Sequence, residues 1–394
     1  MIRTNNRTAK IAASMLAAAL AGSMCIPAAA FADPHQPIIP DGDTIAATSV
    51  KAGDYSVTIA SNNTMFKPSD AVLSVDENGA TVSFNHTTYK FVWLGTKDEY
   101  EAAAKAGDVT ADPRYVAGVE TSSLNKATEG QLKVGSRFTL PVTNLNEPFS
   151  IAVYSSSKKV MLDRKICVNC ADKDALVAAA NVKVSVSKAG KLASDTNGGM
   201  LADGTNASLG LMAQREIVAT DTNNDGKVSC SEVLAAAGAR YLPDDKALAK
   251  SSVIKVGKLV KKTAKEPVKN GDSIVAFTYA KKGKDSYAAF NKSTATVKAG
   301  EALNLTLKGI ETKKANGKNK LATVKGAKKI TVTCSERFGV DGAAAVQTAS
   351  KKLSKKGTVS LKFKTAGTYV VTAKGTTAKG STIIAPVCLV TVTE

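Results

Sequence analysis

The chain has 394 residues, of which 44% are hydrophobic and 22% are charged, so it should fold into about two to four domains. It contains two histidines and one tryptophan, and aromatic residues make up only 5%. This composition argues against one large enzyme core, and two histidines cannot build a histidine-rich zinc site. A Ser-His-Asp arrangement would have only His35 or His86 as its base.

Residues 1–32 have the pattern of a secretory signal peptide. Three basic residues lie within the first ten, an uncharged stretch rich in Ala and Leu follows, and Ala30-Phe31-Ala32 matches a small-x-small cleavage site. A retained membrane anchor is the alternative, because the apolar stretch approaches the length that spans a bilayer. We therefore predict a secreted, extracellular protein that begins at Asp33 and is either released or associated with the cell wall.

The charge is distributed unequally along the chain. Residues 33–180 contain 14 basic and 18 acidic residues, a net charge of −4, whereas residues 181–394 contain 36 basic and 16 acidic residues, a net charge of +20. Residues 246–329 alone contain 21 lysines, 5 acidic residues and no arginine. Lysine point charges without arginine fit a diffuse polyanion better than nucleic acid. We expect an anionic cell-wall polymer or an anionic membrane surface as partner, and the alternative is a basic surface that only confers solubility.

The N-terminal half is predicted to be mainly β. Residues 33–50 are rich in Pro, Asp and Thr and are expected to form a flexible leader. Within residues 51–170, apolar and polar residues alternate, as in Tyr55–Ile59, and polar turns such as Asp76–Gly79 separate the apolar stretches. A short helix is predicted over Asp98–Ala106. Strands of this length and spacing predict an Ig-like β-sandwich.

The C-terminal half is predicted to contain two further domains. Residues 181–308 should form an α+β domain with an Ala-rich helix over Ser231–Arg240. Residues 309–328 are rich in Lys and Gly and are expected to be a linker, and residues 329–394 alternate again as a C-terminal β domain. The predicted fold class is mainly β and multidomain, with Ig-like β-sandwiches on either side of an α+β domain.

The twelve residues Asp221–Glu232 have the pattern of a calcium-binding loop. Calcium takes six to eight oxygen ligands, and such loops supply them at positions one, three, five, seven, nine and twelve. Gly226 stands at position six, where the chain must turn sharply, and Val228 is the apolar residue that packs the loop onto the domain. The predicted ligands are Asp221, Asn223, Asp225, Lys227, Ser229 and Glu232. The alternative is a solvated turn rich in Asn, Asp and Gly.

This segment and the helix after it resemble the EF-hand family. The resemblance implies that Lys227 ligates Ca²⁺ through its carbonyl, that Ser229 acts through water, and that Glu232 closes the site with both carboxylate oxygens. No second loop is found and the segment before Asp221 is a poor helix, so the pattern is closer to single calcium loops of bacterial surface proteins. A lone loop of this kind should bind weakly, with Kd on the order of 10⁻⁴–10⁻³ M, and its role should be structural.

The order of elements in residues 51–170 is loosely similar to that of NEAT domains, the Ig-like haem-binding modules of bacterial surfaces. The similarity includes a short segment around Ser61–Lys67 and a terminal strand over Val160–Val168. The family's Tyr-x-x-x-Tyr pair is absent, because residues 158–168 contain no tyrosine. The resemblance implies haem as an alternative cofactor. The residues available for such a ligand platform are Met65, His86, Tyr89, Phe91 and Trp93.

The aromatic residues Tyr89, Phe91 and Trp93 should share one face of a strand, with Val92 and Leu94 on the other face. Two interpretations of this stripe are open. In the first, the three rings pack into the core of the domain. In the second, they form an exposed ligand platform.

Five cysteines remain after the signal segment, so at least one has no intramolecular partner. Cys334 and Cys388 should point inward from separate strands and are the preferred disulfide. Cys167 and Cys170 have the spacing of a redox motif without its βαβ context, so a structural disulfide or two thiols are expected there. Buried thiols that act as small apolar residues are the alternative for Cys334 and Cys388.

The pattern Thr365-Ala-Gly-Thr-Tyr369-Val-Val-Thr resembles bacterial Ig-like surface repeats, in which a glycine turn leads into a strand with a tyrosine. The resemblance implies a stalk or binding module without catalysis. A nucleophile elbow, a phosphate-binding glycine loop and a His/carboxylate metal cluster are not found in the sequence. We therefore predict a non-catalytic bacterial cell-surface binding protein. The alternatives are haem capture and adhesion to a host or neighbouring cell.

Overall fold

The computed structural model describes residues 37–87, 89–126, 132–155, 159–195, 210–281, 284–324, 329–337 and 347–394. The predicted signal peptide lies outside these residues. Within them the chain is mainly β, with several sheets and two α-helices, which confirms the predicted fold class. No helix in these ranges is long and apolar enough to cross a membrane.

The first domain is a β-sandwich. Its strands are β1 (Ile45–Ala46), β2 (Gly53–Ser56), β3 (Thr58–Ser61), β4 (Ser69–Asp76), β5 (Gly79–His86), β6 (Tyr89–Leu94), β7 (Tyr115–Ala117), β8 (Val119–Lys126), β9 (Leu132–Pro141), β10 (Asn144–Leu145), β11 (Phe149–Ser155) and β12 (Val160–Asn169). One sheet has the order β3-β12-β11-β6-β7 and the other β2-β4-β5-β9-β8. Alternating residues such as Val82 and Phe84 are fully buried, and Phe84 lies opposite Phe138.

Residues 45–50, which precede strand β2, belong to the first sandwich. Strand β1 pairs with β10, the Ala47 N–H donates to the Thr143 carbonyl at 2.9 Å, and Ala47 and Val50 are buried in the core. The predicted flexible leader over 33–50 is therefore wrong for residues 45–50. The Pro- and Asp-rich composition hid two apolar positions, Ala47 and Val50, that the sandwich buries.

Helix α1 (Lys97–Ala106) confirms the short helix predicted in the first domain. It begins with a capping box, because the Thr96 hydroxyl accepts from the Glu99 N–H and the Glu99 carboxylate accepts from the Thr96 N–H. The helix lies over the outer face of the sheet that contains β6, where Tyr100 meets the Trp93 ring edge to face.

The central domain packs one helix against a mixed sheet. Its elements are β13 (Ala179–Lys188), β14 (Lys191–Leu192), β15 (Arg215–Thr220), α2 (Cys230–Tyr241), β16 (Ser252–Lys255), β17 (Lys258–Leu259) and β18 (Ser273–Thr278). Strand β13 lies between β15, which is antiparallel to it, and β18, which is parallel. Val233, Leu234 and Ala237 of α2 share the core with Val182 and Val184. The predicted α+β domain with its Ala-rich helix is therefore present.

The third domain is a second sandwich and is longer than predicted. Its strands are β19 (Ser286–Phe290), β20 (Thr294–Lys298), β21 (Ala302–Glu311), β22 (Ala322–Thr323), β23 (Thr331–Glu336), β24 (Gln347–Lys352), β25 (Thr358–Lys362), β26 (Gly367–Lys374) and β27 (Val387–Thr393). One sheet has the order β20-β27-β26-β23-β24, and β21 pairs with β19, β22 and β25.

The predicted boundary at residue 308 and the predicted linker over 309–328 are wrong. Leu305 and Leu307 of β21 share a core with Val332 and Val390, so the third domain includes everything from β19 onward. Part of the Lys/Gly-rich segment also belongs to this fold, since β21 continues to Glu311 and β22 pairs with it. The described lysines of this segment, Lys313, Lys314, Lys318 and Lys320, are exposed in the connection between β21 and β22, which gives the segment the composition of a linker.

Charged side chains join the three domains. Arg240 of α2 contacts both carboxylate oxygens of Asp70 in the first domain, at 2.9 and 3.0 Å. Arg337 of the third domain contacts Glu120 of the first at 3.3 Å. Inside the central domain, Arg215 donates to Asp195 at 2.7 Å, and its guanidinium lies 4.2 Å from the centre of the Tyr241 ring.

The pair Arg215–Asp195 provides a test of the central domain, because both side chains are almost completely buried. Asp195→Ala leaves the Arg215 charge buried without its carboxylate, so we expect the free energy of unfolding to fall by about 3–5 kcal/mol. Glu101→Ala is the control, since it removes an exposed pair with Lys97 and should cost less than about 1 kcal/mol. Urea unfolding measures the free energy of unfolding of both variants. If both variants lost equally small amounts, the result would contradict the role assigned to the Arg215–Asp195 pair.

Candidate functional site

The predicted calcium loop connects a strand to a helix. It begins directly after β15 and ends in the first turn of α2, so a strand stands where a paired EF-hand would have a helix. Asn224 and Gly226 have left-handed backbone angles, with φ of 58° and 82°, and these produce the sharp turn. Val228 is buried, and its carbonyl accepts from the Val268 N–H at 2.8 Å. The loop is thus fixed at its apolar position, as predicted for Val228.

The Asp221 carboxylate organises the first half of the loop. One oxygen accepts from the Gly226 N–H at 2.7 Å, and the other accepts from the N–H groups of Asn223 and Asp225 at 3.2 and 3.3 Å. The Asn223 side-chain oxygen accepts from the Asp225 N–H at 2.9 Å. The backbone therefore curves around the predicted ligands at positions one and three.

The Glu232 carboxylate closes the second half of the loop. One oxygen accepts from the Ser229 N–H and hydroxyl at 2.8 and 2.9 Å, and the other accepts from the Thr222 N–H and hydroxyl at 2.7 and 2.9 Å. Burial opposes the charge of Glu232, but these hydrogen bonds outweigh it and hold the pKa below its usual value. Ser229 and Glu232 also form the capping box that starts α2.

The donor types suit a hard cation, but the loop would have to rearrange to bind one. Asp221, Asn223, Asp225 and Glu232 present oxygen atoms, which calcium prefers. All four lone-pair positions of Glu232 already accept hydrogen bonds, and two of these come from hydroxyl groups that can rotate away. In the part of the chain that the structure describes, no three His, Cys, Asp or Glu side chains are grouped closely enough to hold a metal ion. The structure therefore orders the loop without bringing all six predicted ligands to one centre.

The predicted ligands differ in exposure. Asn223, Asp225 and Lys227 are exposed, whereas Asp221 and Ser229 are buried. The neighbouring Cys230 thiol is not a ligand candidate, because its side chain is buried in the core and burial raises its pKa to about 11. The open side of the loop thus carries only oxygen donors.

The predicted haem platform does not form one surface. Met65 is 73% exposed, whereas His86 and Tyr89 are buried. The His86 ring stacks on Tyr89 and Phe66, with centroids 4.3 and 4.9 Å apart. Burial and the nearby Arg164 charge lower the pKa of His86 to about 4, so the imidazole is neutral at pH 7.

The aromatic stripe on β6 is interrupted. Phe91 and Trp93 lie on the outer face under α1, but Tyr89 belongs to the inner core together with Val92. The register with β11 shifts between Val153 and Ser155, and this irregularity moves Tyr89 to the other face. The expectation that all three rings share a face is wrong, and the exposed-platform interpretation fails with it.

Sequence reasoning missed an aromatic cluster on the outer face of the first domain. Phe91 stacks on Tyr115 and Tyr154, with centroids 4.8 and 5.5 Å apart, and Tyr100 of α1 lies 5.7 Å from it. These residues come from three strands and a helix, so no single stretch of sequence shows their proximity.

The preferred disulfide is also wrong. Cys334 of β23 lies opposite Val371 of β26, and Cys388 of β27 lies opposite the same Val371 from the other side. One whole strand separates the two cysteines, which places their Cα atoms about 10 Å apart, beyond disulfide range. Both are buried as predicted. Burial raises the pKa of Cys388 to about 11, so this residue behaves as a small apolar side chain.

Cys167 and Cys170 are not joined either. Ile166 and Val168 on either side of Cys167 face the first core, so Cys167 faces away from it, whereas Cys170 lies in that core. An odd spacing along an extended chain places the two thiols on opposite faces. The Asn146 side chain holds the backbone here, accepting from the Cys170 N–H at 2.8 Å and donating to its carbonyl at 2.7 Å.

Comparisons with known proteins give no family. No family model and no curated protein matches the chain. The fibronectin(III)-like modules of Clostridium thermocellum CbhA align with 54% of this chain and 93% of their own, at 11% identity and a TM-score of 0.18. The extracellular domain of a putative one-component system from B. thetaiotaomicron aligns with 82% of this chain and 36% of its own, at 8% identity and a TM-score of 0.15.

The four N-terminal Ig domains of Dscam1 isoform 8.4 align with 82% of this chain and 80% of their own, at 8% identity and a TM-score of 0.15. All three TM-scores are below 0.5, so these similarities carry no argument about function.

The buried His86 predicts a pH dependence of the first domain. Its pKa is about 4 in the folded state and about 6.5 when unfolded, so its contribution to stability is complete above pH 6.5 and is lost as the pH falls towards 4. We expect a loss of about 3 kcal/mol over this interval. Fluorescence of Trp93, the one tryptophan in the chain, can follow the unfolding. His86→Gln should flatten the profile, and an unchanged profile would contradict the assignment.

Proposed function

We propose that this protein is a non-catalytic, exported surface protein whose central domain is stabilised by calcium and whose basic half binds an anionic polymer. The observation that carries the proposal is the ordered loop Asp221–Glu232, which combines a left-handed Gly226, a buried Val228 and oxygen donors on its open side. Export is proposed from the signal-like pattern of residues 1–32. The Ig-like β domains are consistent with a surface or binding role.

Calcium would add a positive charge where the loop concentrates acidic groups. Asp221, Asp225 and Glu232 lie within twelve residues, and a divalent cation would offset their mutual repulsion. Asp221 and Asn223 already hold the backbone in a curve, and the carboxylates would still have to move to one centre to bind the cation. Glu232 would have to release the hydroxyl groups of Thr222 and Ser229 to ligate the cation. Because Glu232 would exchange existing hydrogen bonds for the bond to calcium, the loop fits a weak, structural site better than a sensor.

The basic surface of the third domain supports the polyanion proposal. Lys352 and Lys374 flank Thr331 on neighbouring strands, and both lysines are exposed. Neither makes an ion pair with another residue that the structure describes. Two such charges on one row of a sheet can face successive charges of a polymer such as a cell-wall polyphosphate.

The calcium site can be tested with two matched variants. Glu232→Gln and Glu99→Gln each remove the charge of a capping-box glutamate, but only Glu232 lies in the proposed loop. In the wild type and in Glu99→Gln, calcium at about ten times Kd should stabilise the central domain by about 1–2 kcal/mol. Glu232→Gln should lose this gain. Melting curves with millimolar calcium or a chelator measure the effect, and a wild type without any calcium-dependent shift would refute the site.

The polyanion site can be tested with long-chain inorganic polyphosphate as probe. Binding by the full chain should weaken by about tenfold or more between low and high salt, because exposed charges are screened. The double variant Lys352→Glu/Lys374→Glu should bind much more weakly. Lys90→Glu/Lys105→Glu places the same change on exposed positions of the first domain and is the control. Binding that is insensitive to salt, or equal loss in both double variants, would contradict the proposal.

A further inference from the structure

The third domain has a cavity of about 340 Å³ beside the last residues of β21. One wall comes from the start of β19, the end of β21 and β22, and the other comes from the connection between β26 and β27. Main-chain hydrogen bonds join the two walls, since the Ser286 N–H donates to the Thr382 carbonyl at 2.8 Å and the Ile384 N–H donates to the Ser286 carbonyl at 2.9 Å. The cavity is therefore bounded by segments whose relative positions are fixed.

The buried part of the lining is apolar. Val324 and Ile383 belong to the core of the third domain and also line the cavity. Ile310 and Ala322 add aliphatic surface from β21 and β22. Gly309 lines the cavity as well, and a Cβ atom there would approach Val324 Cγ2 to 3.0 Å, so glycine leaves room for Val324 at the wall. An aliphatic group in the cavity would leave water for an aliphatic surface.

The exposed part of the lining is basic. It includes Lys314, Lys379 and Glu311. The Glu311 carboxylate is already paired, because the ammonium groups of Lys313 and Lys314 lie 3.6 and 3.7 Å from it. Lys379 is exposed and makes no ion pair within the part of the chain that the structure describes. Three lysines against one carboxylate favour an anionic group at this edge of the cavity.

Tyr287 adds a hydroxyl group to the residues that line the cavity. The structure shows no hydrogen bond between this hydroxyl and any other residue in the described ranges. Burial raises the pKa of Tyr287, so the phenol stays protonated at neutral pH. A protonated phenol can donate a hydrogen bond to an oxygen atom of a bound anion.

We propose that this cavity binds an aliphatic carboxylate of medium chain length, with the chain against Val324 and Ile383 and the carboxylate at Lys379. The volume lies at the lower end of the range of about 300–1,000 Å³ that small-ligand sites occupy, which suits a small amphipathic molecule. The aliphatic walls select the chain, and the lysines select the charged end.

This site is separate from the proposed calcium loop and from the row of Lys352 and Lys374. An inorganic polyphosphate has no apolar part that could cover Val324 and Ile383, so the cavity adds a second kind of ligand to the third domain. The inference therefore does not depend on calcium binding or on polyanion binding.

The experiment titrates the full chain with octanoate and follows binding by calorimetry. We expect one saturable site per chain. Hexanoate should bind about tenfold more weakly, because it has two methylene groups fewer to remove from water. Octan-1-ol should bind about two- to fivefold more weakly than octanoate, because it lacks the charge that Lys379 would meet at an exposed position.

Two pairs of variants locate the site. Ala322→Phe places a ring in the cavity and should weaken octanoate binding by at least about tenfold, whereas Ala302→Phe, at an exposed position of β21 outside the cavity, should keep it. Lys379→Gln should weaken octanoate binding by about two- to fivefold and leave octan-1-ol binding unchanged. Lys362→Gln, at an exposed position of β25, is its control.

Three results would overturn the inference. The first is a wild type that shows no saturable binding of octanoate. The second is equal binding of hexanoate and octanoate, which would show that charge alone is recognised. The third is equal binding of octanoate by Ala322→Phe and Ala302→Phe, which would place the ligand outside the cavity.

Discussion

The bonds that Glu232 makes to Thr222 and Ser229 are the interactions on which the central domain most depends. They join Thr222, two residues after the end of β15, to Ser229, the residue that caps α2, so one carboxylate holds the two ends of the loop together. The Asp221 carboxylate fixes the backbone of the loop between these two residues by accepting from the Gly226 N–H. The loop stays ordered because both carboxylate oxygens of Asp221 and of Glu232 accept from backbone or hydroxyl donors. Calcium would take the oxygen donors of this ordered loop once the loop rearranged to bring them to one centre.

The charge asymmetry of the chain has a structural counterpart at the domain junctions. The first domain, which is acidic, supplies Asp70 and Glu120, and the basic remainder supplies Arg240 and Arg337. In both ion pairs, the acidic first domain therefore supplies the carboxylate and the basic remainder of the chain supplies the guanidinium. Lysines of the third domain, such as Lys352 and Lys374, stay on exposed positions and remain available to an external anion. These arginines form ion pairs between the domains, whereas these lysines lie on the surface, in keeping with the different geometries of the two side chains.

Local features were predictable from the sequence and long-range ones were not. Both helices were predicted to within one residue at each end, because capping and periodicity act over a few positions. The pairing of Cys334 with Cys388 failed because sequence does not reveal that the strand of Val371 lies between them. The face of the sheet on which Tyr89 lies depends on a register shift in the pairing with the neighbouring strand. The segment 309–328 has the composition of a linker because its described lysines are exposed between β21 and β22, and the pairing of these two strands is not visible in the sequence.

Calcium binding by the loop Asp221–Glu232 can be measured directly by equilibrium dialysis of the full chain against radioactive calcium, with the wild type beside Glu232→Gln and Glu99→Gln. We expect one saturable site per chain in the wild type and in Glu99→Gln, with Kd on the order of 10⁻⁴–10⁻³ M, and none in Glu232→Gln. Absence of binding in the wild type, or equal binding in all three proteins, would contradict calcium binding by this loop.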